Sequence, residues 1–255
     1  MDIFRFKIFE RFSADVNCAV STRDGGVSPE PYFSLNMGFD IGDDHDHVRE
    51  NYRRFWAETG ANAARGVFGH QAHTDNIAVI DESYNNFGLE NFRPETDAFV
   101  TNLAATPLFV RFADCQGLFL FDPVKRVVGA VHSGWKGVVQ NISGKTVQKM
   151  KELYGCDPQD IIVGISPSIS PEHSYFKDTR AELPEFMWKY VKHEHLVDLW
   201  ACSVDQLMAE GVLQKNIEVS GICTFREKER FFSYRRAGGA NGLTGRMTGF
   251  IQLAN

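Results

Sequence analysis

No apolar run in this sequence approaches the ~18 consecutive residues that a membrane-spanning helix needs, so a helical membrane protein is not expected. The opening segment, MDIFRFKIFERF, alternates charges with aromatics and has no apolar h-region, so it does not read as a secretory signal. Cysteine is sparse. Cys18, Cys115, Cys156, Cys202 and Cys223 are odd in number, widely spread and contain no CxxC pair. That pattern fits neither a disulfide framework nor a four-cysteine zinc module, and it implies a reducing, cytoplasmic setting. An excess of positive charge is missing as well. The formal net charge of −6 argues against nucleic acid or an anionic membrane as the main partner, while leaving room for a local pocket that takes a small anion. No repeat, linker or low-complexity tract interrupts the 255 residues, which suggests one domain over 1–255 with a large core.

The chemistry concentrates between Leu108 and Gly137. Apolar runs read as strands over Phe109 to Phe112, Leu118 to Phe121 and Val127 to Val131, with Asp122-Pro123 as a turn. Cys115 and His132 therefore stand near strand ends, where α/β proteins commonly place reactive groups. Ser133-Gly134-Trp135-Lys136-Gly137 then reads as a turn into a helix with Val138, Val139, Ile142, Val147, Met150 and Leu153 on one buried face. A helix starting near Trp135 aims its N-terminal N–H groups toward His132, which suits an anion such as phosphate. The plainer alternative is a strand-to-helix turn whose glycines only relax the backbone.

Other segments are read more coarsely. Strands are expected over Ile3 to Phe9, Val16 to Ser21, Ile77 to Ile80, Ile161 to Ile165, Glu218 to Ile222 and from Met247 to Leu253, with Phe231 to Arg236 extended. Helix is expected over His47 to Thr59 and through most of 179–210. Arg23 lies in a turn-rich stretch, as a substrate-facing cation or an exposed turn arginine. If the segment at Gln71-Ala72-His73 is extended, Gln71 and His73 share one face, making His73 a candidate third ligand beside Cys115 and His132. That spacing matches no local finger pattern, so a metal there is assembled from distant strands, as catalytic zinc sites usually are. Two HxH pairs, His45-Asp46-His47 and His193-Glu194-His195, invite a copper reading. They stand in charged sequence and Cys115 has no histidine close to it along the chain, so they are read as solvated surface.

Several spaced motifs agree with one known family. These are Ala113-Asp114-Cys115, Val131-His132-Ser133-Gly134-Trp135-Lys136-Gly137, Gln71-Ala72-His73, Ser21 to Ser28, Ser34-Leu35-Asn36, Thr96-Asp97-Ala98 with Thr101, Cys223-Thr224, Phe231 to Arg236, and Gly245-Arg246-Met247. From about residue 15 to the C-terminus the chain resembles the laccase-domain family. Its members were once called multicopper polyphenol oxidases and are now described as purine nucleoside phosphorylases with adenosine deaminase activity; some are assigned to peptidoglycan-precursor editing.

The resemblance implies a single-domain four-layer α/β/β/α sandwich with mixed sheets, and a zinc held by His73, Cys115 and His132. Copper is the less favoured metal. It also implies purine nucleosides and phosphate as partners: adenosine, inosine, guanosine or methylthioadenosine is phosphorolysed, and adenosine is hydrolysed to inosine. Three protein ligands leave a coordination position for a metal-activated water, which accounts for deamination more directly than for phosphorolysis. Phosphorolysis needs an anion site, for which Arg235, Arg236, Lys136 and the helix N-terminus are candidates. Asn36 is a candidate for a ribose hydroxyl or base edge, and Asp97 for ordering a ligand or an arginine; backbone turn capping is the alternative for both.

The sequence departs from the family pattern in places. Ser133 and Lys136 replace the alanine and arginine of HAGWRG, which loses bidentate phosphate recognition at Lys136. Phe112 stands for a common threonine, Tyr52 for an arginine, Ser166 for a glycine, and His173-Ser174 for a frequent cysteine pair. Other functional classes remain open on residues alone. Cys115 with His132 as its base would make a thiol hydrolase or amidase, and a non-catalytic purine-binding module is the remaining alternative.

Overall fold

The computed structural model describes residues 1–39, 41–193 and 195–255. Its strands, in chain order, are β1 (Ile3–Phe4), β2 (Val16–Ser21), β3 (Phe68–Gly69), β4 (Ile77–Val79), β5 (Phe92–Arg93), β6 (Ala98–Thr101), β7 (Leu108–Phe112), β8 (Gln116–Asp122), β9 (Val127–Ser133), β10 (Ile162–Ile165), β11 (Val191–Lys192), β12 (Leu196–Val197), β13 (Ile217–Val219) and β14 (Met247–Leu253). The helices are α1 (His45–Thr59), α2 (Trp135–Val139), α3 (Ile142–Tyr154), α4 (Thr179–Glu182) and α5 (Leu199–Ala209).

Two sheets carry the architecture. One is antiparallel in the order β1-β2-β14-β7, and the other is mixed, in the order β13-β10-β8-β9-β6-β4 with parallel pairs at both edges. The alternation along β8 and β9 explains the stacking. Phe119, Phe121, Val128 and Ala130 face a core shared with Val110 and Phe112 of β7 and with Met247 and Ile251 of β14. Leu118, Leu120, Val127 and Val131 face the other way, onto Ile142, Val147 and Met150 of α3 and Leu207 of α5. Central strands buried on both faces read as continuous apolar runs, which is why this hairpin stands out in the sequence. The two sheets approach so closely that a Cβ on Gly249 would stand 2.4 Å from the Phe119 ring. On the outer face of the antiparallel sheet, Val48, Tyr52 and Phe55 of α1 pack on Ala19, Phe109 and Phe250. The result is the expected four-layer α/β/β/α arrangement. Among the described residues no helix is long and apolar enough to cross a membrane.

Several local expectations change. The segment from Ile3 to Phe9 is a strand only at β1; Lys7–Phe12 winds into a 3-10 helix. Phe9 and Phe12 recur every three residues with Phe6, the period that turns all of them into the inter-sheet core. The single helix expected after Trp135 is two. Asn141 takes φ 56 and its side chain accepts from the Gly144 N–H, so it caps a new helix and breaks the old one. Leu153 is 51% exposed and lies outside the buried face. The stretch 179–210 is helical as expected but in separate pieces: α4, a 3-10 helix over Glu185–Tyr190 and the β11-β12 hairpin precede α5. Phe231 to Arg236 is turn and loop: the Ser233 hydroxyl and the Arg235 N–H donate to the Asp114 carboxylate, and the Phe232 N–H to the Met247 sulfur.

Candidate metal centre and anion cavity

His132 stands near the end of β9, where the antiparallel register sets it opposite Gly117 of β8. Cys115 ends the turn between β7 and β8, after Asp114 in the left-handed region at φ 84. His73 comes from the loop between β3 and β4 and is itself left-handed at φ 60. The three are distant in sequence and adjacent in space. Cys115 Sγ lies 3.7 Å from His73 Nε2, the two imidazoles meet edge to face with centroids 4.9 Å apart, and the ligating atoms of all three lie within 4.8 Å of one another. Among the described residues this is the one group of three or more such side chains gathered in this way.

Asp97 builds the site from behind. It immediately precedes β6, and its carbonyl accepts the His132 backbone N–H at 2.7 Å. Its carboxylate takes His132 Nδ1 at 2.8 Å on Oδ1, which keeps the proton on Nδ1 and leaves the Nε2 lone pair for the cluster. The same carboxylate accepts the N–H groups of Ala72, His73 and Thr74 and the Thr74 hydroxyl, fixing the loop that carries His73. Asp97 therefore orders ligands rather than an arginine, with both oxygens engaged.

Electrostatics follow from this packing. Burial by itself would raise the Cys115 thiol, but the charge of His132 and hydrogen bonds to His132 and His73 outweigh it and bring the group down to about 6. Burial works against the His132 imidazolium, and Cys115 with Asp97 more than restores it, to about 9. Burial likewise opposes ionisation of Asp97, yet its bond to His132 and the Thr74 donors hold the carboxyl down to about 2. Gly134 completes the cradle: a Cβ there would stand 2.7 Å from His73 Cδ2 and 3.0 Å from Cys115 Sγ.

These donors suit a zinc ion. Zn–N and Zn–S bonds of ~2.1 and ~2.3 Å put tetrahedral donors roughly 3.4–3.6 Å apart, close to the separation seen between Cys115 and His73. A thiolate with two imidazoles, one of them oriented by a carboxylate, is a borderline-soft set that matches zinc and leaves a fourth position open.

The cluster opens into a cavity of about 590 Å³ lined also by Arg111, Lys136, Arg246, Phe39, Phe92 and Tyr234. No carboxylate borders it among the described residues. Arg111 donates to the Gly69 carbonyl at 2.8 Å and lies over the Phe92 ring; Arg246 donates to the Thr244 and Gly245 carbonyls and lies over Tyr234. Three cations thus share one wall, and among the described residues that line the cavity none is a carboxylate.

Of the candidate substrate residues, Lys136 reaches the cavity and three others do not line it. Asn36 is buried, with its amide nitrogen donating to the Gly38 carbonyl and Asp43 and its oxygen accepting from Gly38 and Arg246 N–H groups. It braces the loop behind Arg246. Arg236 donates to the carbonyls of Thr224, Phe225 and Phe231, and Arg235 to that of His173. Arg23 likewise clamps Phe33 and Lys228 carbonyls. The five-residue α2 is too short for a strong N-terminal dipole. Arg111 and Arg246, and not Arg235 and Arg236, line the cavity, and only the motif position of Arg246 signalled either of them. Of the HxH pairs, His45 is exposed and His47 faces Asp43 at 3.4 Å at the start of α1; His193 is exposed, and Glu194 falls outside the described residues.

A layered α/β protein with one histidine–cysteine–histidine centre at the mouth of a cationic cavity is thus defined. The chain belongs to the family described as multi-copper polyphenol oxidoreductase laccase, whose model matches residues 17–254. It is 33% identical to the purine nucleoside phosphorylase YlmD of Bacillus subtilis, over 94% of this chain and 89% of that one. It is 32% identical to the purine nucleoside phosphorylase YfiH of Escherichia coli, over 91% and 92%. The crystal structure of YlmD from Geobacillus stearothermophilus superposes with a TM-score of 0.86 at 32% identity, covering 96% of this chain and 94% of that one.

Proposed function

We propose that this protein is a zinc-dependent purine nucleoside phosphorylase acting on adenosine, inosine, guanosine and methylthioadenosine, with a second activity that hydrolyses adenosine to inosine. The observation that carries the reading is the shared cavity: the His73, Cys115 and His132 donors open into the same space as Arg111, Lys136 and Arg246. The names of relatives that match over most of their length support the same class.

In phosphorolysis a phosphate oxygen forms a bond to ribose C1′ as the C1′–N9 bond breaks, and the purine leaves with a proton. Arg246 holds the phosphate with a guanidinium pre-positioned by the Thr244 and Gly245 carbonyls and the Tyr234 face, and Arg111 adds positive charge on the same wall. Lys136, exposed at the rim, adds a point charge in place of a second fork. Phe39, Phe92 and Tyr234 supply apolar and aromatic wall for the base. Zinc bound by His73, Cys115 and His132 supplies Lewis-acid activation of water for the hydrolytic activity. Asp97 holds the His132 proton on Nδ1 throughout.

The test is chromatography of adenosine incubated with the purified protein, with and without phosphate. Adenine and ribose 1-phosphate appearing only with phosphate, together with phosphate-independent inosine, is the expected result. No phosphate-dependent base release, or turnover that survives His73→Ala, Cys115→Ala and His132→Ala, would overturn it. Release of an amino acid from a muramyl nucleotide, lost on iodoacetamide treatment, would instead establish a Cys115–His thiol hydrolase.

A further inference from the structure

A second thiol and imidazole meet outside the cationic cavity. Cys223 Sγ lies 3.5 Å from His173 Nδ1, and the Ser170 N–H donates to the same sulfur at 3.4 Å. The His173 ring is held flat against Phe225, with centroids 4.5 Å apart and planes 24° from parallel. Cys223 is a free cysteine and only 5% exposed, yet it borders a separate cavity of about 400 Å³. Cys18, Cys156 and Cys202 are buried, and neither cavity has any of them in its wall.

The wall around Cys223 has a mixed charge. Arg226 and Arg230 line it together with Glu172 and Glu227. Arg230 is also paired with Asp2 at 2.9 Å, so Arg226 is the cation less engaged by carboxylates in the hydrogen bonds seen here. A wall with guanidiniums and carboxylates side by side complements a ligand carrying both carboxylate and ammonium groups, as amino acids and short peptides do. It differs from the cavity of the candidate metal centre, where the described lining residues include no carboxylate.

We propose that Cys223 is a thiol–disulfide exchange site for a small disulfide with amino-acid ends, with His173 as its base. The Cys223 proton passes to His173 Nδ1, and the Ser170 N–H stabilises the charge left on sulfur. The Cys223 sulfur then forms a bond to one sulfur of the reagent as the reagent's S–S bond breaks. Cys223 is oxidised to a mixed disulfide. The departing half is reduced to a thiol, taking the proton from His173. This site works independently of whichever reaction occurs at the metal centre.

The experiment uses the intact, metal-loaded protein with oxidised glutathione, followed by peptide mass mapping of the adduct over time. A dithiothreitol-reversible adduct on Cys223 is expected, absent in Cys223→Ser. In His173→Gln its formation is expected to slow about a hundredfold, the scale of a lost general base. Hydroxyethyl disulfide, which has no charged ends, is expected to react more slowly than oxidised glutathione. Labelling that spares Cys223 in the wild-type protein overturns the proposal, as does a His173→Gln rate equal to wild type. Equal rates with the two disulfides overturn its choice of ligand class.

Discussion

Replacing Asp97 by asparagine tests the organisation of the metal centre with the smallest change in shape. The carboxylate is fully buried. Its Oδ1 accepts from His73 N–H and His132 Nδ1, and its Oδ2 from Ala72 N–H, Thr74 N–H and the Thr74 hydroxyl. An amide must turn its NH2 toward one of these sets. On the Oδ2 side it confronts two backbone donors. On the Oδ1 side it confronts His73 N–H and drives the His132 proton to Nε2, which removes the lone pair a metal needs. Leaving a buried group unsatisfied costs about 1–3 kcal/mol. Holding the carboxyl at about 2 instead of 3.8 corresponds to about 2 kcal/mol of native-state preference for the charged form. Together these predict a loss of about 3 kcal/mol in unfolding free energy for the metal-free variant, and zinc held roughly 10–100-fold more weakly. A carboxyl whose pKa falls on folding adds stability that is fully present above its unfolded value and lost as pH drops through its folded one. The gap between wild type and Asp97→Asn is therefore expected to be full at pH 7 and to shrink between about pH 4 and pH 2. Urea unfolding at several pH values and zinc competition with a chromophoric chelator measure both effects. A variant that unfolds within about 0.5 kcal/mol of wild type and holds zinc equally well would refute the reasoning.

Four further outcomes follow from named contacts. Gly134→Ala puts a methyl against His73 and Cys115, so the folded variant is expected to hold much less than one equivalent of zinc by elemental analysis, while its far-ultraviolet circular dichroism stays unchanged. In the metal-free wild type, iodoacetamide is expected to label Cys115 with a rate that rises through about pH 6, well below the range where Cys202, pushed up to about 12, ionises; equal labelling of both at pH 7 would contradict this. Arg246→Ala is expected to raise the KM for phosphate about tenfold or more with little change in unfolding free energy. Arg236→Ala should do the reverse, losing about 2 kcal/mol of stability through its three carbonyl partners and leaving the phosphate KM unchanged in the folded fraction.

What could be read from the chain followed the range over which each signal acts. The β8-β9 hairpin is buried on both faces, so its apolar runs announce it without any tertiary knowledge, and Cys115 and His132 come with it. The break at Asn141 was as local, a capping side chain three residues before Gly144, but the apolar spacing from Val138 to Met150 ran across it and favoured one helix. His73 was a weaker candidate because nothing adjacent to it in sequence fixes its direction; its left-handed backbone is held by Asp97, which the chain supplies 24 residues later.

The cations show the same division more sharply. Paired arginines at 235 and 236 look like an anion site in a linear reading, since charge is visible there and hydrogen-bond partners are not. In the fold, Arg236 saturates the carbonyls of a loop that has no strand to pair with, and Arg235 offers its backbone N–H to Asp114, beside Cys115. Arg111 sits in the middle of an apolar strand, where a single charge looks like an interruption. Alternation along β7 turns it away from the inter-sheet core that takes Val110 and Phe112, and onto the cavity wall across from Arg246 at the opening of β14. A lone charge inside an otherwise buried strand is therefore the better sequence signal for the cavity wall here than a cluster of charges in a loop, because only the strand fixes where the side chain points.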